Sequence, residues 1–250
     1  MSLLDDTYVS FVNLDHRKDR LDLMLQSLAR SNLSATRTRG RLPAECKAPP
    51  ERISAMLKRP QKGAIGCYFS QMSIMEEAGR MGKHAFVMED DLIICADLHE
   101  RLAIVEQFTF THPWDVVWMG GTFHINPPYW HKEDIGRDAE LTDHPRFLKT
   151  YGAFCTYAYI VNRESLCLVL TLLESVLPQS IGIDHSFILI QPKLRTFAFV
   201  PGCMTQYDNQ SDIGKGVTKF SGFAKLGPYW FQQRMTDFDP LTFDWHEARV

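Results

Sequence analysis

The chain has 250 residues and a mass of 28.7 kDa. Surface scaling gives about 11,000 Å² folded against about 42,000 Å² extended, enough burial for a core without disulfide or metal staples. Hydrophobic residues make up 45% and charged residues 23%, which excludes a disordered or fibrous chain; the net charge of −3 excludes a broad nucleic-acid surface, though not a local basic pocket.

No apolar run approaches the roughly 18–20 residues of a membrane span. The richest stretch, Tyr157 to Leu177, is broken by Asn162, Arg163, Glu164 and Glu174. Asp5 and Asp6 stand where a secretory signal carries Lys or Arg, so a cytoplasmic protein is expected. No transmembrane segment and no nucleic-acid partner are expected, and peripheral membrane association is compatible with the composition. The six cysteines (Cys46, Cys67, Cys95, Cys155, Cys167, Cys203) lack ligand-like clustering and read as buried reduced thiols rather than disulfides or zinc ligands. The expected organisation is one domain over 1–250, with 227–250 an aromatic and acidic tail.

In chain order, Thr7–Leu14 is β-branched and apolar, a buried strand. Asp15 to Asn32 places Leu21, Met24 or Leu25, and Leu28 at helical spacing, with Asp15 as N-cap. Ala35–Gly40 reads as a short strand, and Cys46–Lys62 as loop plus a short helix. Ala64–Met81 repeats Ile65, Phe69, Met72 and Ile74 or Met75 as a helix does. Ala85–Met88 is a short apolar strand running into Glu89-Asp90-Asp91. His99–Phe108 reads as a helix, Asp115–Met119 as a strand ending at Gly120-Gly121, and Phe123–Pro145 as a long loop. Tyr151–Val161 is a strand. Asn162 then caps a helix to about Leu177 with Leu166, Val169 or Leu170, and Leu173 on one face. Ser186–Ile190 is apolar and helical, Thr196–Val200 a strand, and Gln206–Gly222 polar. Alternation of strands and helices predicts an α/β fold: a mixed, mostly parallel sheet with helices on both faces. Ligands of such sheets gather at the carboxyl ends of strands.

The sharpest local feature is that end at Glu89-Asp90-Asp91. Alternation puts Glu89 and Asp91 on one face, and paired carboxylates suit Mn²⁺ or Mg²⁺. A solvated acidic turn is the alternative. At the first strand-to-helix junction, free N–H groups with Arg17 and Arg20 suit an anion, or form only a charged first turn. The glycines of a dinucleotide loop are absent there. Asp184, beside His185, reads as a helix N-cap, an acid–base group or an extra metal ligand. GxSxG, HExxH and Walker motifs are absent.

Taken in order, these segments resemble glycosyltransferase family 25, the lipopolysaccharide and collagen-type galactosyltransferases. FVNLDHRKDRLDLM resembles the family's opening strand and helix, GAIGCYFSQMSIMEEA its Gly-x-x-Gly-Cys helix, and AFVMEDDLII its metal motif. WDVVWMGG, YGAFCTYAYIVNRESL, IGIDHSFI and TQYDNQSDIGKG follow in the expected order. Gln71 and Thr205-Gln206 depart from positions where many relatives carry His, which leaves the third metal ligand open.

The resemblance implies a GT-A-like, Rossmann-type nucleotide-sugar-binding fold. It implies inverting, metal-dependent transfer of a sugar, galactose from UDP-galactose first, to a hydroxyl of a glycan or glycoconjugate. Glu89 and Asp91 are the expected ligands of Mn²⁺ (or Mg²⁺). Val12, Asn13, Leu14, Arg17, Arg20, Ser70, Asp90 and Lys215 are the expected donor site, and Asp184 the catalytic base, with Asp208 and Asp212 next in line. Asp208–Gly222, with three glycines and Lys215 and Lys219, reads as a lid or as a surface linker. The alternatives are a metal-dependent nucleotidyltransferase or phosphoesterase using the same carboxylates, and a non-catalytic glycan-binding module.

Overall fold

A computed structural model of the chain describes residues 2–58, 62–123, 139–200, 202–207, 209–210, 212–213, 217–218 and 231–232. Its elements are β1 (Thr7–Asn13), α1 (Lys18–Arg30), β2 (Thr36–Arg39), α2 (Ser54–Leu57), α3 (Gly63–Arg80), β3 (His84–Met88) and β4 (Leu92–Ile94). Next come α4 (Leu98–Thr111), β5 (Val116–Phe123), β6 (Ala139–Leu141), β7 (Phe147–Thr150), β8 (Phe154–Val161), α5 (Leu166–Val176) and α6 (Ile183–Ile190). The remainder are β9 (Thr196–Phe199), β10 (Met204–Gln206), β11 (Asn209–Gln210), β12 (Val217–Thr218) and β13 (Phe231–Gln232).

The expected α/β architecture is present. The main sheet runs β2-β1-β3-β8-β5-β9-β7-β6, with β13 also paired to β5. Pairing is parallel at β2-β1-β3 and at β5-β9, and antiparallel elsewhere. Only β7, β8 and β13 oppose the common strand direction. Strand alternation splits the core between two faces. Ala85, Val87, Val116, Trp118, Tyr159 and Val161 meet α3, α5 and α6 through residues such as Tyr68, Met75, Leu173 and Phe187. Phe86, Met88, Val117, Met119, Ala158 and Ile160 meet α1 and α4 through Met24, Leu28, Leu102 and Phe108. No single helix among the described residues is long and apolar enough to cross a membrane.

The reversed strand β8 sets up the site. Met88 pairs with Ala158, and the Glu89 N–H donates to the Tyr157 carbonyl at 2.9 Å. The start of β8, Cys155 and Thr156, is therefore delivered to the carboxyl end of β3. Cys155 takes φ = 65°, an uncommon conformation for a residue with a Cβ. Strand β5 does not stop at Gly120-Gly121 but runs through to Phe123 with two register shifts. A Cβ at Gly120 would stand 2.3 Å from the Met204 carbonyl oxygen, so this glycine lets β10 cross close above the sheet. There β10 pairs with β4.

Three other local expectations are corrected. Asp15 does not cap α1; Arg17 occupies the cap position, while Asp15 accepts from Arg37 and Arg39. The loop expected over Phe123–Pro145 contains β6, which pairs with β7; 124–138 lie outside the described residues. All six cysteines are free, but only Cys95 and Cys203 are buried, and Cys167 is exposed.

Candidate functional site

A cavity of about 600 Å³ opens at the carboxyl ends of β1 and β3. Its walls include Val12, Leu14 and Arg20 from the first junction, Ser70 from α3, the three acids after β3, and Asp184 from α6. A second cavity of about 460 Å³ shares Cys67, Glu89, Asp184 and Ile213 with it.

The acids divide as the alternation predicts. Asp90 turns toward the first junction, where Asn13 Nδ2 donates to its Oδ2 at 2.7 Å and Arg20 Nη1 to its Oδ1 at 2.8 Å. Arg37 Nε donates to Asn13 Oδ1 at 2.9 Å, which fixes the amide so that its NH₂ faces Asp90. Glu89 and Asp91 turn to a common side. There the Gln206 amide donates to Glu89 Oε2 at 2.9 Å and to Asp91 Oδ1 at 3.0 Å. Arg20 also reaches Asp91 Oδ2 at 3.4 Å.

Behind Glu89 lies a buried polar chain. Tyr159 donates its hydroxyl to Gln71 Oε1 at 2.9 Å, so the Gln71 NH₂ is aimed at Glu89 Oε1 (3.1 Å) and the Thr156 carbonyl (3.2 Å). Thr156 in turn donates from its amide and hydroxyl to Asp184 Oδ1, at 2.9 and 2.5 Å. Asp184 sits in the first turn of α6 but does not cap it. These two bonds orient the carboxylate into the cleft.

Charge is unbalanced here. Glu89, Asp90, Asp91, Asp184 and Asp212 line the cavity with Arg20, Arg41 and Lys62, and Arg20 is ion-paired with Asp90 and Asp91. Glu89 opens to the cleft yet lies deep. Burial, then the charges of Asp91, Asp184 and Asp90, push its carboxyl well above the ordinary range. Burial also raises Asp90, against the opposing pull of Arg20 and Asn13.

The expected site residues divide into four groups. Val12, Leu14, Arg20, Ser70, Glu89, Asp90, Asp91 and Asp184 line the cavity. Asn13 is buried just behind it and acts through Asp90. Arg17, expected to face an anion, is instead ion-paired with Asp19 and Asp212. Ser70 donates to the Gly66 carbonyl and accepts from the Arg41 amide, so its hydroxyl is engaged by the backbone. Lys215, Lys219 and Asp208 lie outside the described residues. Of the segment read as a lid or a surface linker, only β11, Asp212-Ile213 and β12 are among the described residues. The roles of Thr156 and Tyr159 had no sequence signal. Gln71 and Gln206 stood out only as departures. Among the described residues, no three His, Cys, Asp or Glu side chains are grouped as a ready metal site.

No family model matches the chain, and no curated protein matches it. Among solved structures, it is similar to a glycosyltransferase involved in the glycosylation of the major capsid of PBCV-1. The identity is 9%, with 82% of this chain and 94% of that chain covered and a TM-score of 0.42. It is also similar to a Bacillus anthracis protein described as a glucose-1-phosphate thymidylyltransferase, in complex with a sucrose. There the identity is 13%, the coverage 79% and 69%, and the TM-score 0.38. Likenesses this distant assign no reaction.

Proposed function

We propose that the chain is a metal-dependent, inverting glycosyltransferase that moves a sugar, galactose from UDP-galactose first, to a hydroxyl of a glycan or glycoconjugate. The observation that supports this reading most is the placement of Glu89 and Asp91 on one side of a deep cleft that Asp184 also lines. The residues fit a hard divalent cation, Mn²⁺ or Mg²⁺. The donors are oxygens, the local charge is strongly negative, and the Gln206 NH₂ bridges Glu89 and Asp91 as a shared cation would. Glu89 and Asp91 would hold it, and rotation of the Gln206 amide would offer a third oxygen. When bound, such a cation neutralises the charge gathering on the leaving diphosphate.

The other steps belong to the chain's own residues. Val12 and Leu14 form an apolar wall at the end of β1, suited to a nucleoside. Asp90, held by Asn13 and Arg20, fixes the junction between β1 and the acids. Asp184 takes the proton of the acceptor hydroxyl as that oxygen attacks the anomeric carbon and the bond to the diphosphate breaks. Thr156 holds Asp184 by one oxygen and leaves the other for this transfer.

A screen of nucleotide sugars with Mn²⁺, scored by UDP release and product linkage, tests the reading. UDP-galactose should yield UDP and a β-linked galactoside. An α-linked product overturns inversion. Release of pyrophosphate moves the chain to nucleotidyl transfer, and ligand binding without turnover or metal dependence makes it a binding module.

A further inference from the structure

Four basic side chains line the larger cavity: His16, Arg20, Arg41 and Lys62. Two are committed to acids. Arg20 is bound to Asp90 and Asp91, and His16 lies 3.7 Å from Asp212. Arg41 and Lys62 have no side-chain hydrogen bond or ion pair among the described residues, although the cavity they line has five carboxylates on its walls.

Their positions are built into the fold. The Arg41 amide donates to Ser70 Oγ at 2.8 Å. A Cβ on Gly66 would fall 2.1 Å from the Arg41 carbonyl oxygen, so only glycine lets this backbone lie against α3. Lys62 immediately precedes that helix. Ser70 and Gly66 therefore fix Arg41 to the helix that Lys62 leads into, and both cations belong to one wall.

We infer that Arg41 and Lys62 form a phosphate-recognition wall that holds the diphosphate of a nucleoside diphosphate, independently of any cation on the acids. The inference rests on the nucleotide reading above and specifies which cations meet the phosphates. Of the expected candidates, Arg17 is bound to Asp19 and Asp212 and Arg20 to Asp90 and Asp91, while Lys215 lies outside the described residues. The planar fork of Arg41 suits two phosphate oxygens at once, and Lys62 adds a point charge at the more exposed rim. Arg41 is half-buried with no described acid bound to its guanidinium, and a diphosphate would supply that counter-charge.

The test is calorimetric titration of the full chain with UDP and with uridine, each in Mn²⁺ and in EDTA. Arg41→Gln should weaken UDP about ten-fold and Lys62→Gln about three-fold, in both buffers, with uridine affinity within about two-fold of wild type. Arg41→Lys should recover part of the loss. The unliganded melting temperature of each variant checks folding, and Lys62→Gln, at an exposed position, keeps the test available if Arg41→Gln fails to fold. UDP affinity unchanged in both variants overturns the inference and leaves the proposed function standing. Equal losses for UDP and uridine also overturn it, because the wall would then hold the nucleoside. A wild-type chain that binds neither UDP nor uridine overturns the proposed function and this inference with it.

Discussion

Two buried acid sites stand at opposite ends of the sheet, and they are built on opposite terms. Asp115, at the amino end of β5, accepts from the Arg195 amide, Nε and Nη2 at 2.7, 3.0 and 2.6 Å, and from Ser165 Oγ at 2.5 Å. Burial would raise its carboxyl, but Arg195 and Ser165 outweigh it and hold the group below its ordinary value. At the carboxyl end of β3, Arg20 pairs with Asp90 and Asp91 of the acids gathered there, and Glu89 is pushed upward. A saturated acid ties β5, β9 and the start of α5 together. An unsaturated cluster destabilises the empty fold and leaves capacity for a ligand. Strongly perturbed groups in a cleft mark a functional site on probability, and here the contrast within one molecule sharpens that inference.

Variants should separate the two ends. The largest effect is expected at Asp184. Asp184→Asn keeps the shape but cannot take a proton, so kcat should fall about 10²–10⁴-fold while UDP affinity holds. A near-normal kcat would move the base elsewhere. Asp91→Ala should abolish the Mn²⁺-dependent part of UDP binding with the unliganded melting temperature preserved. Titrations of Mn²⁺ and UDP identical to wild type would remove Asp91 from the metal site. Asp115→Ala should do the reverse. Losing four accepted hydrogen bonds should cost about 2–4 kcal/mol in denaturant unfolding, with UDP affinity of the folded fraction intact. A loss of nucleotide binding without a loss of stability would break the comparison.

Much of this was legible in the sequence where the signal is local. The apolar run Ala85–Met88 ending in three acids gave both a strand and the acidic end of the cleft, because burial and charge change at one point in the chain. The helical periods of α3 and α5 were readable for the same reason. What escaped depends on distant pairing. Thr156 reaches Asp184 and Gln71 only because β8 runs against its neighbours, a direction that composition does not encode. Gln206 meets Glu89 across 117 positions of sequence, over a crossing that Gly120 permits. Gly120 read as the end of a strand and Gly66 as part of a helix, and both prove to be close backbone approaches. Asp15 has the composition of a cap, but two arginines on the neighbouring strand compete for it and win.

The smallest expected effect concerns the pH dependence of the empty fold. Glu89 has a folded pKa above its ordinary value of 4.5. Below 4.5 the carboxyl is protonated in both states, and its contribution to stability is fully present. From 4.5 upward the unfolded chain loses the proton first, so the folded state binds more protons and stability falls as pH rises. The slope for one such group is at most about 1.4 kcal/mol per pH unit. Asp115 has the opposite sign: its folded pKa lies below 3.8, so its contribution is present above 3.8 and is lost as pH falls further. Glu89→Gln removes a titrating charge and leaves one acceptor oxygen, as the protonated carboxyl does, so one of the Gln71 and Gln206 amides must turn its oxygen to the new NH₂. In EDTA, its melting temperature should match wild type near pH 4.5 and rise above it progressively at higher pH. Asp90, raised in the same direction, leaves a residual slope in the variant. With Mn²⁺ present, wild type should gain stability at neutral pH and Glu89→Gln should not. Parallel curves for the two proteins in EDTA would mean that the acids after β3 are as well balanced as Asp115, and the distinction between the two ends of the sheet would fail.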